Sequence, residues 1–514
     1  MKRIFLAILT ICAVSANALA QSVTTAPYNS TAQLTGLQMP SGLGWDMTRF
    51  PLSVAIYDAP AQSRTTGVVY NGSGATMTPE NLFNSVSTAL SSPHIIYYVA
   101  TTGSDSNACT SAGSPCATIN HAVTLANTDA HPDEIIINAG IYPRASSPGG
   151  TSGVSPTTDI AFVAAGGRVT TGTFDTTWSA SADLVYTNTY SYTTANTDRV
   201  IDTTQTNRFG NYIELTTIPT GSGCPAIVNR TPESWCLYSG TQYINRQDGQ
   251  QPKPYGTTGG NTIVTRGGAY GFVITSQVNI YIGDGGSQTN FPSNGFDVIG
   301  AGGGYQGGLE YAITTPNNSI YNTIVASNST FKYAGGAVGT AGRGVAIESI
   351  NGMAAMFNVD ASEAQTDGFN LHDTNGASET QMLVLNGTVN DGGRSGTTSD
   401  NCLTNHDTTV MIGVSVSCEN EHGGSLRSTN FAKAWFAGVS VKNDLGDIVL
   451  GGTTPQDAVS TQLNSTFWLD RVKIDMPAGT IGVMTETNTA SIYLRNVWPP
   501  PGVIIGGPGT IAGY

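Results

Sequence analysis

Short strand-forming pieces of about three to five residues, broken by glycine and asparagine, return at roughly 20 to 30 residues along most of this chain. They stand out in NIYIGDGG, NGFDVIGAGGGYQGG, NSIYNTIVASNSTF and GVAIESINGMAAMFNVDASEAQTDGFNLHD. A strand this short buries too little surface to persist alone, so it needs a neighbouring coil against which to stack. An antiparallel sandwich would space its strands at about 8 to 12 residues with hairpin dipeptides between them, and few such dipeptides occur. The pattern predicts an all-β fold in which parallel strands climb as a solenoid. Asparagine suits its corners, because it tolerates left-handed backbone and bonds to nearby main chain.

The N-terminus has the form of an export signal: Lys2 and Arg3, an apolar run from Ile4 to Val14, then Ala18-Leu19-Ala20. This apolar run is shorter than the roughly 20 residues a bilayer span needs. Residues 1–20 are read as a signal peptide, with a secreted or periplasmic mature protein and no transmembrane anchor. The cysteines beyond Cys12 fall into local pairs, Cys109 with Cys116, Cys224 with Cys236, and Cys402 with Cys418. Their proximity favours three short-loop disulfides over the rival, zinc, since no Cys-x-x-Cys spacing occurs.

Charged residues make up only 11% of the chain and hydrophobic ones 39%, which excludes a disordered acidic tail. The net charge is -14, becoming -16 once Lys2 and Arg3 are removed. An acidic surface disfavours nucleic acid and, less decisively, a strongly anionic polymer as partner.

Residues 21–93 read as an N-terminal appendage with one helix, Pro79 to Leu90, capped by Thr78. From Ile95 the sequence runs IIYYVATTGSDSN, ACTSAGSPCATINHAVTLAN and DEIIINAGIYPR. This predicts a strand, a loop, a short helix with Ile119, Ala122, Val123 and Ala126 on one face, and a strand from Glu134 to Asn138. The segment resembles the first coil of pectate-lyase-like proteins. That resemblance implies a right-handed parallel β-helix over 94–514 whose N-terminal capping helix covers otherwise unpaired strand edges. A stretch near 170–265, with Trp178, Trp235 and VYTNTYSYTT, interrupts the pattern and reads as an insertion. Its aromatics suit packing under a loop better than display to a sugar.

Ionisable groups concentrate from Asp367 to His422. TDGFNLHD carries Asp367, His372 and Asp373; SDNCLTNHD carries Asp400, His406 and Asp407; CENEHGG carries Glu419, Glu421 and His422. Coils lie about 4.8 Å apart, so carboxylates one or two coils apart meet the roughly 5 to 9.5 Å that acid–base cleavage of a glycosidic bond requires. The order Thr366-Asp367-Gly368, Asp400-Asn401-Cys402, then Cys418 before Glu421-His422-Gly423 resembles the motifs of polygalacturonases. The resemblance implies Asp400 as general acid, Asp367 as the group activating water and His422 as an orienting group. Asn401 stands where that family has a second carboxylate, so Asp407, Asp373 or Glu421 would have to substitute.

The expectation is a polysaccharide-degrading enzyme needing no cofactor, with catalytic candidates Asp367, Asp400, His422, His406, Asp407 and His372. Two alternatives stay open. A lyase would use calcium on Asp360, Glu363 and Asp367 with Arg394, Arg427, Lys433 or Lys442 as base. A non-catalytic surface protein would only bind polysaccharide.

Overall fold

A computed structural model describes the chain from 76 to 514 apart from 144–153, 173–177, 183–184, 190–198, 220, 253–261, 266–270, 286–293, 302–306, 336–341, 378, 394–400, 423, 443–458, 462–463 and 498–500, together with 39–46, 53–54 and 69–70. The signal peptide, Arg394 and Asp400 lie outside the described residues.

The body is a parallel β-solenoid with three sheets. Sheet 1 is the longest, and its register runs Thr323, Met353, Gln381, Val410, Lys433, Thr466, Ser491 and Thr510, one residue per coil. Sheet 2 passes through Asp297, Thr330, Asp360, Thr388, Ser417, Ser440 and Lys473. Sheet 3 passes through Phe272, Leu309, Val345, Phe369, Leu403, Leu426, Val459 and Val483. Between sheets 1 and 2 the backbone turns through one left-handed residue per coil: Asn328, Asn358, Asn386, Ser415, Gly438, Arg471 and Asn496, all with φ between 49° and 61°. Asparagine at these corners also bonds from coil to coil. Asn358 Nδ2 donates to Asn328 Oδ1 at 3.0 Å, and Asn328 Nδ2 donates to Asp284 Oδ2 at 2.6 Å.

Sheets 1 and 3 differ in how their outer faces are treated. Sheet 1 strands such as Gly352–Phe357 (GMAAMF) and Thr380–Leu385 (TQMLVL) are buried at every position, the continuous apolar pattern expected of a strand covered on both sides. Inward residues such as Ile324, Ala354, Met382 and Phe467 fill the solenoid core. Outward ones such as Tyr281, Val325, Met353, Leu383 and Trp435 form a second core with Leu43, Trp45, Leu82 and Phe83 of the N-terminal segment. Tyr281 Oη also meets Glu80 Oε1 at 3.0 Å. Sheet 3 has no such apolar outer face: in Gly307–Ala312 and Arg343–Glu348 the inward Leu309, Tyr311, Val345 and Ile347 alternate with Glu310 and Glu348.

The capping helix spans Ile119–Ala126, with Thr118 Oγ1 accepting from His121 N–H at 3.2 Å and Ile119, Ala122, Val123 and Ala126 buried on the core. The helix expected from Pro79 to Leu90 ends at Asn84. There Ser85 Oγ donates to Leu82 O at 2.6 Å, a side-chain bond that competes with helix continuation.

Residues between the strands Ile160–Gly172 and Phe272–Ile274 build two small, mainly antiparallel sheets beside the solenoid. Trp178 and Trp235 are buried there with Val200, Leu215, Leu237 and Ile244, so these rings serve packing. This unit docks on sheet 2, where Lys332 Nζ donates to Asn211 Oδ1 at 2.8 Å and Arg199 Nη1 donates to Glu363 O at 2.6 Å. The three disulfides are Cys109–Cys116, Cys224–Cys236 and Cys402–Cys418. No helix among the described residues is long and apolar enough to cross a membrane.

The corner ladder has a measurable consequence. Asn358→Ala keeps a side chain at a left-handed position while losing the bond to Asn328, a combined cost of about 2 kcal/mol. Asn358→Gly, which loses only the bond, is expected to cost about 1 kcal/mol. Denaturant unfolding of the two variants should rank them in that order.

Candidate functional site

The outer face of sheet 3 is a wall of ionisable side chains in two columns. One column runs Glu310, Ala346, Asn370, Thr404 and Arg427; the next runs Ala312, Glu348 and His372. His406 continues the second column, since its backbone N–H donates to Leu371 O at 2.9 Å and its ring stacks on His372 with centroids 3.8 Å apart. The parallel register alone makes these columns, because equivalent residues of successive coils point the same way.

Arg343 ties the wall together. Its Nη1 donates to Glu348 Oε1 at 3.1 Å, and its Nε lies 3.8 Å from Asp367 Oδ2. Asp367 is only 5% exposed. Its Oδ1 accepts from Thr404 Oγ1 at 2.8 Å and from both the backbone N–H and Nδ2 of Asn401 at 3.1 Å, while Oδ2 accepts from Asn370 Nδ2 at 2.8 Å. Burial still raises its pKa, against the pull of Arg343 and these donors. A carboxylate so enclosed by donors anchors the neighbouring side chains Asn370, Asn401 and Thr404.

Burial pushes the Glu310 carboxyl up to about 7, and the adjacent Glu348 charge adds to the effect while Arg343 opposes it. Glu310 Oε2 is buried without a hydrogen-bond partner, which suits the protonated acid. Burial lowers His372 to about 2 and His406 to about 3, with Arg343 contributing to both. These rings are therefore neutral at ordinary pH. Asp407 Oδ2 lies 3.6 Å from His372 Nδ1 and accepts from Asp373 N–H at 3.2 Å.

The structure thus gathers Asp367, His372, His406 and Asp407 with Arg343, Glu348 and Glu310. His422 sits in the turn after Ser417–Glu419, where its backbone N–H donates to Gly392 O at 3.1 Å. Glu421 beside it is fully buried, and burial first, with Asp391, Glu363 and Asp367 adding, pushes it up to about 8. It is out of reach of a polymer. The suggested calcium ligands are drawn to separate partners: Asp360 to Lys332 at 2.6 Å, Glu363 to Arg199 at 3.8 Å, and Asp367 to the donors above. They do not fit one ion. Of the suggested bases among the described residues, Lys433 donates to Gly42 O and Lys442 pairs with Glu419, while Arg427 stands on the wall, paired with Glu486.

A second feature escaped the sequence reading. Along sheet 2 and its corner with sheet 1, a groove of about 360 Å³ is lined by Arg168, Asp297, Asn328, Thr330, Asp360 and Thr388 among others. A smaller depression beside it, of about 150 Å³, adds Asn211, Tyr212, Lys332 and Tyr333 and shares Asp297 and Thr330. Its charges are paired: Arg168 bonds Asp297 through Nε at 3.1 Å and Nη2 at 2.5 Å, and Lys332 bonds Asp360. What the larger groove offers a ligand is a surface more apolar than polar, edged by hydroxyls, amides and paired ions.

Glu421 has a clear pH signature. Its folded pKa lies above the ordinary 4.5, so its stabilising contribution is complete below that value and is lost as pH rises through about 8. The Tm of the protein is expected to fall between about pH 5 and pH 8, and Glu421→Gln should flatten that decline. Thermal melts across this range check it.

The sequence matches no family model and no curated protein. Among solved structures, the chain is similar to a glycoside hydrolase at 9% identity and a TM-score of 0.37, with 82% of this chain and 96% of that one covered. It is also similar to a tailspike of Acinetobacter baumannii bacteriophage AP22 solved with capsular saccharide, at 10% identity and a TM-score of 0.28, covering 77% and 66%. A GH136 lacto-N-biosidase from Eubacterium ramulus follows at 8% identity and a TM-score of 0.23, covering 82% and 68%.

Proposed function

We propose that this protein cleaves the glycosidic bonds of a polysaccharide by general acid–base hydrolysis on the outer wall of sheet 3. The observation that carries the reading is the pair Glu310 and Glu348, two carboxylates on one wall with contrasting surroundings. Glu310 is raised to about 7 by burial, whereas Glu348 is ion-paired to Arg343. Pairs of carboxylates in contrasting environments divide the roles of acid and base.

Glu348 lies one coil on from Glu310 and two residues further along the strand. Coil spacing of about 4.8 Å and strand rise of about 3.3 Å per residue separate the two backbone positions by roughly 8 Å, so side chains of equal length extended alike would hold their carboxyl groups near the separation of inverting glycosidases. In the step proposed, Glu310 gives its proton to the departing glycosidic oxygen as the C–O bond breaks. Glu348 takes a proton from the water whose oxygen bonds to the anomeric carbon. Asp367 and Arg343 position Glu348, and the neutral His372 and His406 offer hydrogen bonds to sugar hydroxyls without adding charge. The net charge of -14 favours a neutral polymer over a strongly anionic one.

A panel of polysaccharides provides the test. New reducing ends support hydrolysis, whereas the ultraviolet absorbance of an unsaturated product would replace it with β-elimination. Glu310→Gln and Glu348→Gln should each lower turnover at least about 100-fold. Turnover of the wild type should fall as pH rises past about 7, where Glu310 loses its proton. If Asp400→Asn abolishes turnover and Glu310→Gln does not, the acid is Asp400 and the pair is wrongly assigned.

The groove at sheet 2 favours a second reading, a protein that binds saccharide without cutting it. An apolar surface edged by hydroxyl, amide and paired ionic groups in a concave site suits a sugar ring and its hydroxyls. Retained glycan binding with no product from any polymer would select it.

A further inference from the structure

At the N-terminal end of the solenoid, far in sequence from the wall of sheet 3, three segments bring a histidine and two carboxylates together. His94 precedes the first solenoid strand, Ile96–Val99; Asp129 stands in the turn after the capping helix; and Asp133 opens the strand Asp133–Pro143. His94 Nδ1 is 2.9 Å from Asp129 Oδ2. One donor atom from each of His94, Asp129 and Asp133 lies within 4.8 Å of the others. The His131 ring stacks against His94 with centroids 4.3 Å apart.

Asp133 is the group that calls for a ligand. It is wholly buried, at 0% exposure. Its Oδ1 accepts the Ile95 N–H at 2.8 Å, but Oδ2 is buried with no hydrogen-bond partner. Among the described residues no lysine or arginine forms an ion pair with Asp133 or Asp129. A buried carboxylate oxygen without a donor, close to a second carboxylate, is expensive unless a cation or a shared proton intervenes.

We propose that His94 Nδ1, Asp129 Oδ2 and Asp133 Oδ2 bind a divalent transition-metal ion, zinc foremost, that ties the capping helix to the first coil. One imidazole and two carboxylates form a borderline donor set that suits zinc. Calcium prefers six to eight oxygens and gains little from imidazole. Zinc at about 2.0 to 2.2 Å from each ligand spaces neighbouring ligand atoms roughly 3.4 Å apart in a tetrahedron. To reach that spacing the His94 and Asp129 donors, now 2.9 Å apart, open slightly, and no pair within the 4.8 Å cluster has far to close. His94, whose side chain is 52% exposed, is free to make most of the movement, and water or His131 can take the fourth position. The ion would join three backbone segments at the end of the fold where coil stacking stops, so occupancy would raise stability by mass action.

The experiment uses the full-length, untagged protein stripped of metal, with zinc chloride titrated calorimetrically and thermal melts recorded with and without zinc. One zinc per chain and a rise in Tm of several degrees are expected, with no comparable rise in calcium chloride. Asp133→Asn should weaken zinc binding at least about 100-fold and His94→Gln at least about 10-fold. His121→Gln, near the Cys109–Cys116 disulfide, should change neither readout. His94→Gln alters a half-exposed side chain, so it keeps the test decisive if Asp133→Asn fails to fold. Absence of zinc binding would overturn the proposal in favour of a shared proton. Zinc affinity unchanged in His94→Gln and Asp133→Asn would overturn it in favour of another site. Neither result bears on the Glu310 and Glu348 pair.

Discussion

Backbone hydrogen bonds between successive coils hold this molecule in register, and almost everything else depends on that register. In sheet 1 the ladder is unbroken from Ile160 through Ile280 and Ile324 to Ile511. Because the strands are parallel, a side chain's direction on one coil repeats on the next. A coil has no core of its own and acquires one from the coils above and below. Hydrophobic columns such as Ile324, Ala354, Met382 and Met411 thus form the interior, and polar columns form the outer wall.

The outer faces then divide labour by what covers them. Sheet 1 is roofed by Leu43, Trp45, Leu82 and Phe83 of the N-terminal segment, so its outward positions are apolar. Sheet 2 receives the inserted unit, and the junction leaves a small depression lined by Asn211, Tyr212, Lys332 and Tyr333. Sheet 3 keeps Glu310, Glu348, His372 and His406 on its outward face, with Arg343 bridging Glu348 and Asp367. Partial burial among like charges shifts Glu310 and the two histidines toward their neutral forms, while Arg343 balances part of the negative charge. Ionisable side chains gather on the wall whose alternating pattern needs no apolar cover.

Much of this was legible in residues alone, and the limits are instructive. The apolar runs GMAAMF and TQMLVL announce strands covered on both faces, whereas GGLEYA and RGVAIE announce one open face. Aligning GLEYA, GVAIES, GFNLHD and CLTNHD by their shared inward apolar positions places Glu310 in one column and Glu348, His372 and His406 in the next. Attention to local density of histidine and aspartate passed over Glu310 in GGLEYA and the pair Arg343 and Glu348 in RGVAIE, since neither strand holds a histidine or an aspartate. The same attention favoured Asp367 as a reactive group, when its burial under Thr404, Asn401 and Asn370 makes it an anchor.

The sequence by itself determined the class of fold, the capping helix at Ile119–Ala126 and the cysteine pairs, because strand period, helical face and loop closure are local properties. Tertiary structure alone decided which carboxylates are buried, which are paired and which share a wall. Those outcomes depend on the number of residues between coils and on where the inserted unit docks. Arg168 meets Asp297, and His94 meets Asp129, across long intervals of chain. Short-range pattern does not encode such meetings; desolvation and charge pairing in the stacked solenoid do.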